Sequence, residues 1–459
     1  MNYLNKLYKL KENLNDLIIK NINNNIYIIN IETITSSKTI SDFILEHINN
    51  ISSDYLLNNL PLPNIQLIDD YNTLLNRLFN GFTIIITSKE IIAIETRNNL
   101  TRGISDANYE KTIIGPKDAF IEDYNTNLGL IRKRIKDSNL FVKTYELGKF
   151  TKTKVGLIYI SNICKKDLIN KIDNKLKNIN IDGIINSNSL KRYLNTSNNF
   201  FPTIKSTERP DLTSMSLLEG KVIILTDNSP EVLILPTFFI DFFHMSDDYY
   251  QKQTNITFIR LIRLIAFLLS ILLPAIYISL TTHNPDSMPI KLLLSFQKGR
   301  QNVPIPAFIE AIIMIISFEI LRETDIRIPS SMGTAISILG GIVLGDAAVS
   351  AGIVSPIMII VIAISAISGM LIQSIEVINS IRWYRFLFII LSSLFGFYGI
   401  FLGTISLLTT LSSTKSIDKD YLYPFAPFNL NEQKDAILKI QGKVKYRNPL
   451  LSNNKKRGI

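Results

Sequence analysis

The chain has 459 residues, 46% of them hydrophobic, with 49 Lys and Arg against 39 Asp and Glu, a formal charge of +10. The lone cysteine, Cys164, excludes an intramolecular disulfide framework and a cysteine-based metal cluster, and His47, His244 and His283 have no spacing that suits a shared ion. The positive excess comes with no nucleic-acid motif; beside long apolar segments it reads as an orientation signal.

Residues 1–250 are rich in Asn, Ile and Lys and read as a cytosolic region, since no unbroken apolar core of signal-peptide length opens the chain. Leu4, Leu7, Leu10, Leu14 and Ile18 fall near helical spacing and predict an amphipathic helix over 1–20. Next come a strand over 26–34, a helix over 40–51 capped by Ser36, Ser37 or Ser41, a short strand over 64–67 and a helix over 70–79. A hairpin pairing 82–86 with 91–96 across Ser88-Lys89 completes a first α/β subdomain, residues 1–100. Residues 101–139 are a connector with a Gly115-Pro116 turn and a helix over 119–135. A second α/β subdomain, 140–250, has strands over 140–147 and 154–163, a helix over 167–179, and a hairpin joining 221–226 to 231–235. Neither unit carries a glycine-rich phosphate loop or a catalytic triad, so neither enzymatic activity nor a cofactor is expected.

Two charged clusters stand out. Arg132-Lys133-Arg134 lies on a helix with an apolar opposite face and reads as a solvated or interface surface rather than a phosphate site. Glu208, Arg209 and Asp211 flank Pro210 with no nucleophile or base nearby, and read as a fixed ion-pair turn, a structural joint. Tyr249 and Tyr250 precede the first apolar run, where a membrane interface favours such side chains.

Residues 251–411 are expected to form a polytopic helical membrane domain with spans near 256–280, 307–321, 332–349, 353–372 and 386–411, followed by a basic tail over 412–459. Arg260 and Arg263 can snorkel from the first turns of the first span. Residues 288–300 are too short and charged to cross and predict an interfacial helix. Glu310, Glu319 and Asp346 sit within apolar runs, and ionisable groups there are functional candidates. At about 100° per residue Glu310 and Glu319 cannot share a face. Glu319 can pair with Arg322 at i,i+3 and shares its face with Glu323 at i,i+4. The charged stretch with Arg322, Glu323 and Arg327 reads as a loop that couples to the cytosolic region. Gly333, Ser337, Gly341 and Gly345 recur every four residues and form a ridge for close helix packing. That ridge, with Asp346 after it, makes 332–349 the candidate pore-adjacent helix. Gly396, Gly399 and Gly403 form a second such face. The clusters Arg260/Arg263, Arg322/Arg327 and Arg382/Arg385, the last read as a loop, agree with an interior N-terminus. The basic tail does not, if there are five full crossings: either it lies outside, or a segment is re-entrant, or 288–300 enters the membrane.

The stretches IIGPKDAFIEDYNTNLGLIRKRI, TERPD, EGKVIILTDNSPEVLILPTFFIDFF, DDYY, LPAIYIS, VPIPAFIEAIIMIISFEILRETDIRIP and GDAAVSAGIVSP, within 102–448, resemble the A subunits of bacterial spore germinant receptors, the GerA family. Asp346 and Ser350 depart from the Gln or Glu expected there in many relatives. The resemblance implies a protein of the spore inner membrane that works with a transporter-like, nutrient-binding B subunit and a C-subunit lipoprotein. It implies a homo-oligomer, a pentamer, acting as a nutrient-gated cation channel in contact with membrane lipid. Two alternatives are an accessory family member associated with the dipicolinate channel and a non-conducting scaffold for the nutrient-binding subunit. An intramembrane aspartyl protease is disfavoured, because position 343 is Val and no second aspartate lies in a span. A secondary transporter is disfavoured by the lack of an inverted repeat over 256–411.

Overall fold

A computed structural model describes residues 2–23, 26–46, 65–87, 90–98, 110, 112–195, 200–327, 340, 341, 343–429, 433–437 and 450–452. Two five-stranded antiparallel sheets form the first half. The first contains β1 (Leu17–Asn23), β2 (Ile26–Ile31), β3 (Ile65–Leu67), β4 (Phe82–Ile86) and β5 (Ile91–Glu95), in the order β1-β2-β4-β5-β3. The second contains β6 (Leu140–Leu147), β7 (Thr153–Ile160), β8 (Lys205–Thr207), β9 (Val222–Thr226) and β10 (Val232–Leu235), in the order β6-β7-β9-β10-β8. The order is the same in both, so the two units repeat one topology. Their central strands are runs of Ile, Leu and Val buried on both faces, as a sheet covered by helices requires.

The helix expected over 1–20 stops early. Helix α1 spans Asn2–Lys11, and Leu17-Ile18-Ile19 instead pairs with β2 in the register Leu17↔Ile31. Branched apolar side chains suit a half-buried pleat better than a helix. After α2 (residues 37–45) and α3 (Tyr71–Phe79), helix α4 covers Tyr124–Arg134 rather than 119–135. Asp123 fixes its start by accepting the Thr126 N–H at 2.7 Å. In the second unit α5 (Lys166–Lys177) is followed by two helices outside the expected elements. The first, α6 (Ser187–Leu194), is capped by Asn186, which accepts the Ser189 N–H at 2.9 Å. The second, α7 (Pro210–Glu219), opens on proline and closes on Gly220 at φ +96°.

Arg132 is not a surface cation. Its guanidinium is buried, donates to both carboxylate oxygens of Asp16 at 2.8 Å and to the Leu140 carbonyl, and stacks over Phe79. It thereby fastens the first unit to the second, beside a short parallel bridge between Leu14 and Val142.

The second half is helical: α8 (Gln253–Thr282), α9 (Ile290–Arg300), α10 (Ala307–Arg327), α11 (Pro356–Met370), α12 (Ile375–Phe395) and α13 (Phe397–Ser413). Helices α8 and α12 are long and apolar enough to cross a membrane; α11 and α13 are apolar but shorter. Three expectations are corrected here. The stretch from Arg322 to Arg327 is not a loop but the last turns of α10. Arg382 and Arg385 lie within α12. The span expected over 386–411 is two helices folded back on each other at Gly396, whose φ of +59° and ψ of −137° no side chain adopts easily. A Cβ on Gly399 would strike the Leu391 carbonyl, and one on Gly403 would come within 2.7 Å of the Phe388 ring. The second glycine face therefore packs on the preceding helix of the same chain.

The hairpin returns the chain to the second sheet. Ser416 accepts the Thr237 N–H at 3.0 Å and donates to the Thr203 carbonyl, and the Phe239 N–H donates to the Tyr421 carbonyl. Residues 414–429 thus lie on the α/β side. Half of the expected span 332–349, with Gly333 and Ser337, falls outside the described residues. Within its described part, 343–347 is a π-turn and 348–350 a short α-turn.

Candidate functional site

The joint between second sheet and helical bundle has no seam. One apolar cluster runs from Leu157, Ile172 and Leu233 through Phe239 and Phe243 to Phe267 on α8, Tyr384 and Phe388 on α12, Leu407 on α13 and Tyr421 beyond it. Phe239 packs edge-on against Phe243, Phe267 and Tyr421 at 5.0–6.0 Å between ring centroids. Such ring contacts exceed simple area burial by about 0.5–1.5 kcal/mol each.

Charged groups are fixed around this core. Arg260 and Arg263 do not snorkel to a headgroup layer. Both are buried and donate to Asp248 at 3.2 and 2.8 Å, and Arg263 also donates to the Phe243 carbonyl at 2.7 Å. Tyr249 and Tyr250 turn toward the α/β unit, donating to Glu219 at 3.3 Å and to Asp211 at 3.0 Å. Arg209 is buried, chelates Asp211 at 3.0 and 2.8 Å and donates to the carbonyls of Glu110 and Pro116. Glu208 faces elsewhere and accepts the Glu110 N–H at 2.7 Å.

Opposite that corner, Lys191 on α6 reaches Glu376 in the first turn of α12. Its ammonium donates to both carboxylate oxygens, at 2.6 and 2.5 Å, and to the Ser206 hydroxyl at 3.1 Å. Burial pulls the Lys191 pKa down, and Glu376 opposes that pull. A cleft of about 690 Å³ opens here, lined by Lys191, Lys205, Glu110, Glu231, His244 and the α11–α12 turn at Gln373–Glu376 among others. Burial raises the carboxyls of Glu110 and Glu231 above their ordinary range. This contact escapes pattern reading because 185 residues separate its partners; the one local signal is an acid in the first turn of a helix.

The three carboxylates expected in the apolar runs are not brought together. Glu310 is fully buried and accepts the Ser355 N–H and hydroxyl at 2.6 and 2.5 Å, capping α11 from a neighbouring helix; Arg300 stands 3.6 Å away. Glu319, about 13 Å further along α10, pairs with Arg322 at 2.8 Å and with Arg382 at 3.0 Å. Glu323 is exposed, as is Asp346 in its π-turn. Gly341 is exposed and a Cβ on it, or on Gly345, would meet nothing within 4 Å, so neither packs closely on another helix among the described residues. Gly340 is the tight position, against Leu321.

Two α/β units of one topology, the second sharing its core with an apolar helical bundle, define the architecture. Residues 3–450 match the family model described as Bacillus/Clostridium GerA spore germination protein. The chain is 36% identical to spore germination protein KA of Bacillus subtilis (strain 168), over 83% of this chain and 71% of that protein. It is 33% identical to spore germination protein GerQA of Bacillus cereus, over 87% and 81%. It is 34% identical to the uncharacterized membrane protein YfkQ of Bacillus subtilis (strain 168), over 90% and 82%. Among solved structures, the N-terminal domain of the A subunit of the Bacillus megaterium spore germinant receptor GerK3 aligns at TM-score 0.38 and 26% identity, over 51% of this chain and 94% of that one. The chain belongs to the GerA family of spore germination proteins.

Proposed function

We propose that the chain is the A subunit of a nutrient germinant receptor in the spore inner membrane. It oligomerises, as a pentamer, into a nutrient-gated cation channel, beside a transporter-like B subunit and a C-subunit lipoprotein. The observation that carries this reading is the family match over residues 3–450. In it, residues up to about 250 form the cytosolic part, and the apolar helices between 253 and 413 cross the membrane more than once. The Arg209–Asp211 turn is a structural joint, and Arg322, Glu323 and Arg327 end a helix at the cytosolic face.

The polar candidates divide by geometry. Glu310 is committed to capping α11, and Glu319 to two arginines, so both support the bundle. Asp346 is exposed and follows the two open glycines, which supports 332–349 as the surface offered to neighbouring copies around a cation path. Replacing Asp346 by Asn, at matched protein level, reduces potassium release after nutrient addition. Glu310→Gln instead lowers the amount of folded protein. Normal release in both, and in Glu319→Gln, excludes these carboxylates from conduction and leaves a non-conducting scaffold as the better reading.

A further inference from the structure

A small cavity of about 50 Å³ lies where α10, α11 and α12 meet, lined by Glu319, Arg322, Arg382, Arg385, Gly369 and Met370 among others. Glu319 engages Arg322 and Arg382, so among the described residues lining the cavity three guanidinium groups meet one carboxylate. Arg385 is nine-tenths buried. It donates its Nε–H to the Ser270 carbonyl at 2.8 Å, while its Nη2 lies against Gly369 on the cavity wall and makes no hydrogen bond to a described residue. The buried Nε–H of Arg382 is also without a partner among the described residues. A buried, unsatisfied guanidinium N–H such as that of Arg382 is costly in an apolar bundle, and the planar fork of a guanidinium matches an oxyanion. Trp383 follows Arg382 and is 65% exposed, as is expected of an indole at the headgroup level of a bilayer. Met370 at the cavity wall and Ile320 nearby on α10 are exposed too and offer an apolar flank to an acyl chain.

We infer that Arg322, Arg382 and Arg385 bind the phosphodiester of an anionic phospholipid, with Glu319 tempering the charge of the site. Basic pockets between membrane helices on the cytoplasmic side select such headgroups. The inference rests on the membrane placement proposed above. The full-length chain in detergent micelles is titrated with phosphatidylglycerol, phosphatidylcholine or inorganic phosphate while its thermal unfolding is followed. Phosphatidylglycerol raises the melting temperature and phosphatidylcholine does not. Arg382→Gln and Arg322→Gln, each read against its own melting temperature in phosphatidylcholine, raise the half-saturating lipid concentration about tenfold or more, the loss of one charge-assisted hydrogen bond. Glu319→Gln lowers it. An equal response to both lipids, or a full response in the Arg322→Gln/Arg382→Gln double variant, overturns the inference. The same stabilisation by inorganic phosphate alone overturns the lipid assignment in favour of a soluble oxyanion. Recovery of the chain in the aqueous phase without detergent fails the membrane reading, whereas a micelle-bound chain indifferent to lipid charge fails the lipid site alone.

Discussion

Arg132 and Asp16 show how much a single buried pair decides. Each carboxylate oxygen takes one N–H, and both side chains are at most 5% exposed. Asp16→Asn removes the counter-charge and leaves a guanidinium buried, at a cost of about 3–5 kcal/mol. The Arg134–Asp118 pair is about one-fifth exposed at both ends, and Arg134→Ala costs about 1 kcal/mol or less. Thermal unfolding of the full chain separates the two. His244 adds a pH dependence outside the apolar helices. Its Nε2 pairs with the Ala436 carbonyl at 2.8 Å, and burial, reinforced by Arg260, holds its pKa well below the ordinary 6.5. A folded-state value below the unfolded one means that the contribution is complete above about pH 6.5. It is lost as pH falls below that, by up to about 1.4 kcal/mol per pH unit. The stability advantage of wild type over His244→Asn therefore shrinks between pH 7 and pH 5; an unchanged gap contradicts the assignment.

At the scale of elements, the α12–α13 hairpin turns on glycines that hydropathy cannot interpret. Residues 386–411 are continuously apolar, so composition predicts one crossing, and only the backbone at Gly396 reveals the turn. The small residues at 399 and 403 were legible as a packing face, but not their partner, because antiparallel contact depends on where the turn falls. Gly399→Ala forces a Cβ into the Leu391 carbonyl and costs about 3 kcal/mol or more. Gly345→Ala meets open space and changes monomer stability by about 1 kcal/mol or less. Folded yield in detergent reads the difference. If Gly345→Ala keeps its yield yet weakens oligomers, the open ridge is a surface between copies.

For the whole molecule, the alternation of strands and helices was legible, and the hairpins 82–86/91–95 and 222–226/232–235 follow from their apolar runs. The repeat of strand order was not, because the two units share topology rather than an obvious sequence period. Nor was the shared core: a boundary near 250 follows from composition, which changes there, whereas Phe239, Phe243, Phe267 and Tyr384 pack across it. Contacts spanning more than a hundred residues, such as Lys191–Glu376, leave no local trace beyond an acid in the first turn of a helix. In the proposed receptor they are the coupling between the second sheet and the bundle, which share one core.

Lys191–Glu376 is the polar contact through which that coupling is most directly tested. Spores carrying Glu376→Lys, Lys191→Glu or both are given the nutrient mixture that germinates wild type, and potassium release is followed at matched receptor level. Each single variant places like charges in contact and loses release, and the charge-swapped pair recovers it. Normal release from the single variants contradicts the account.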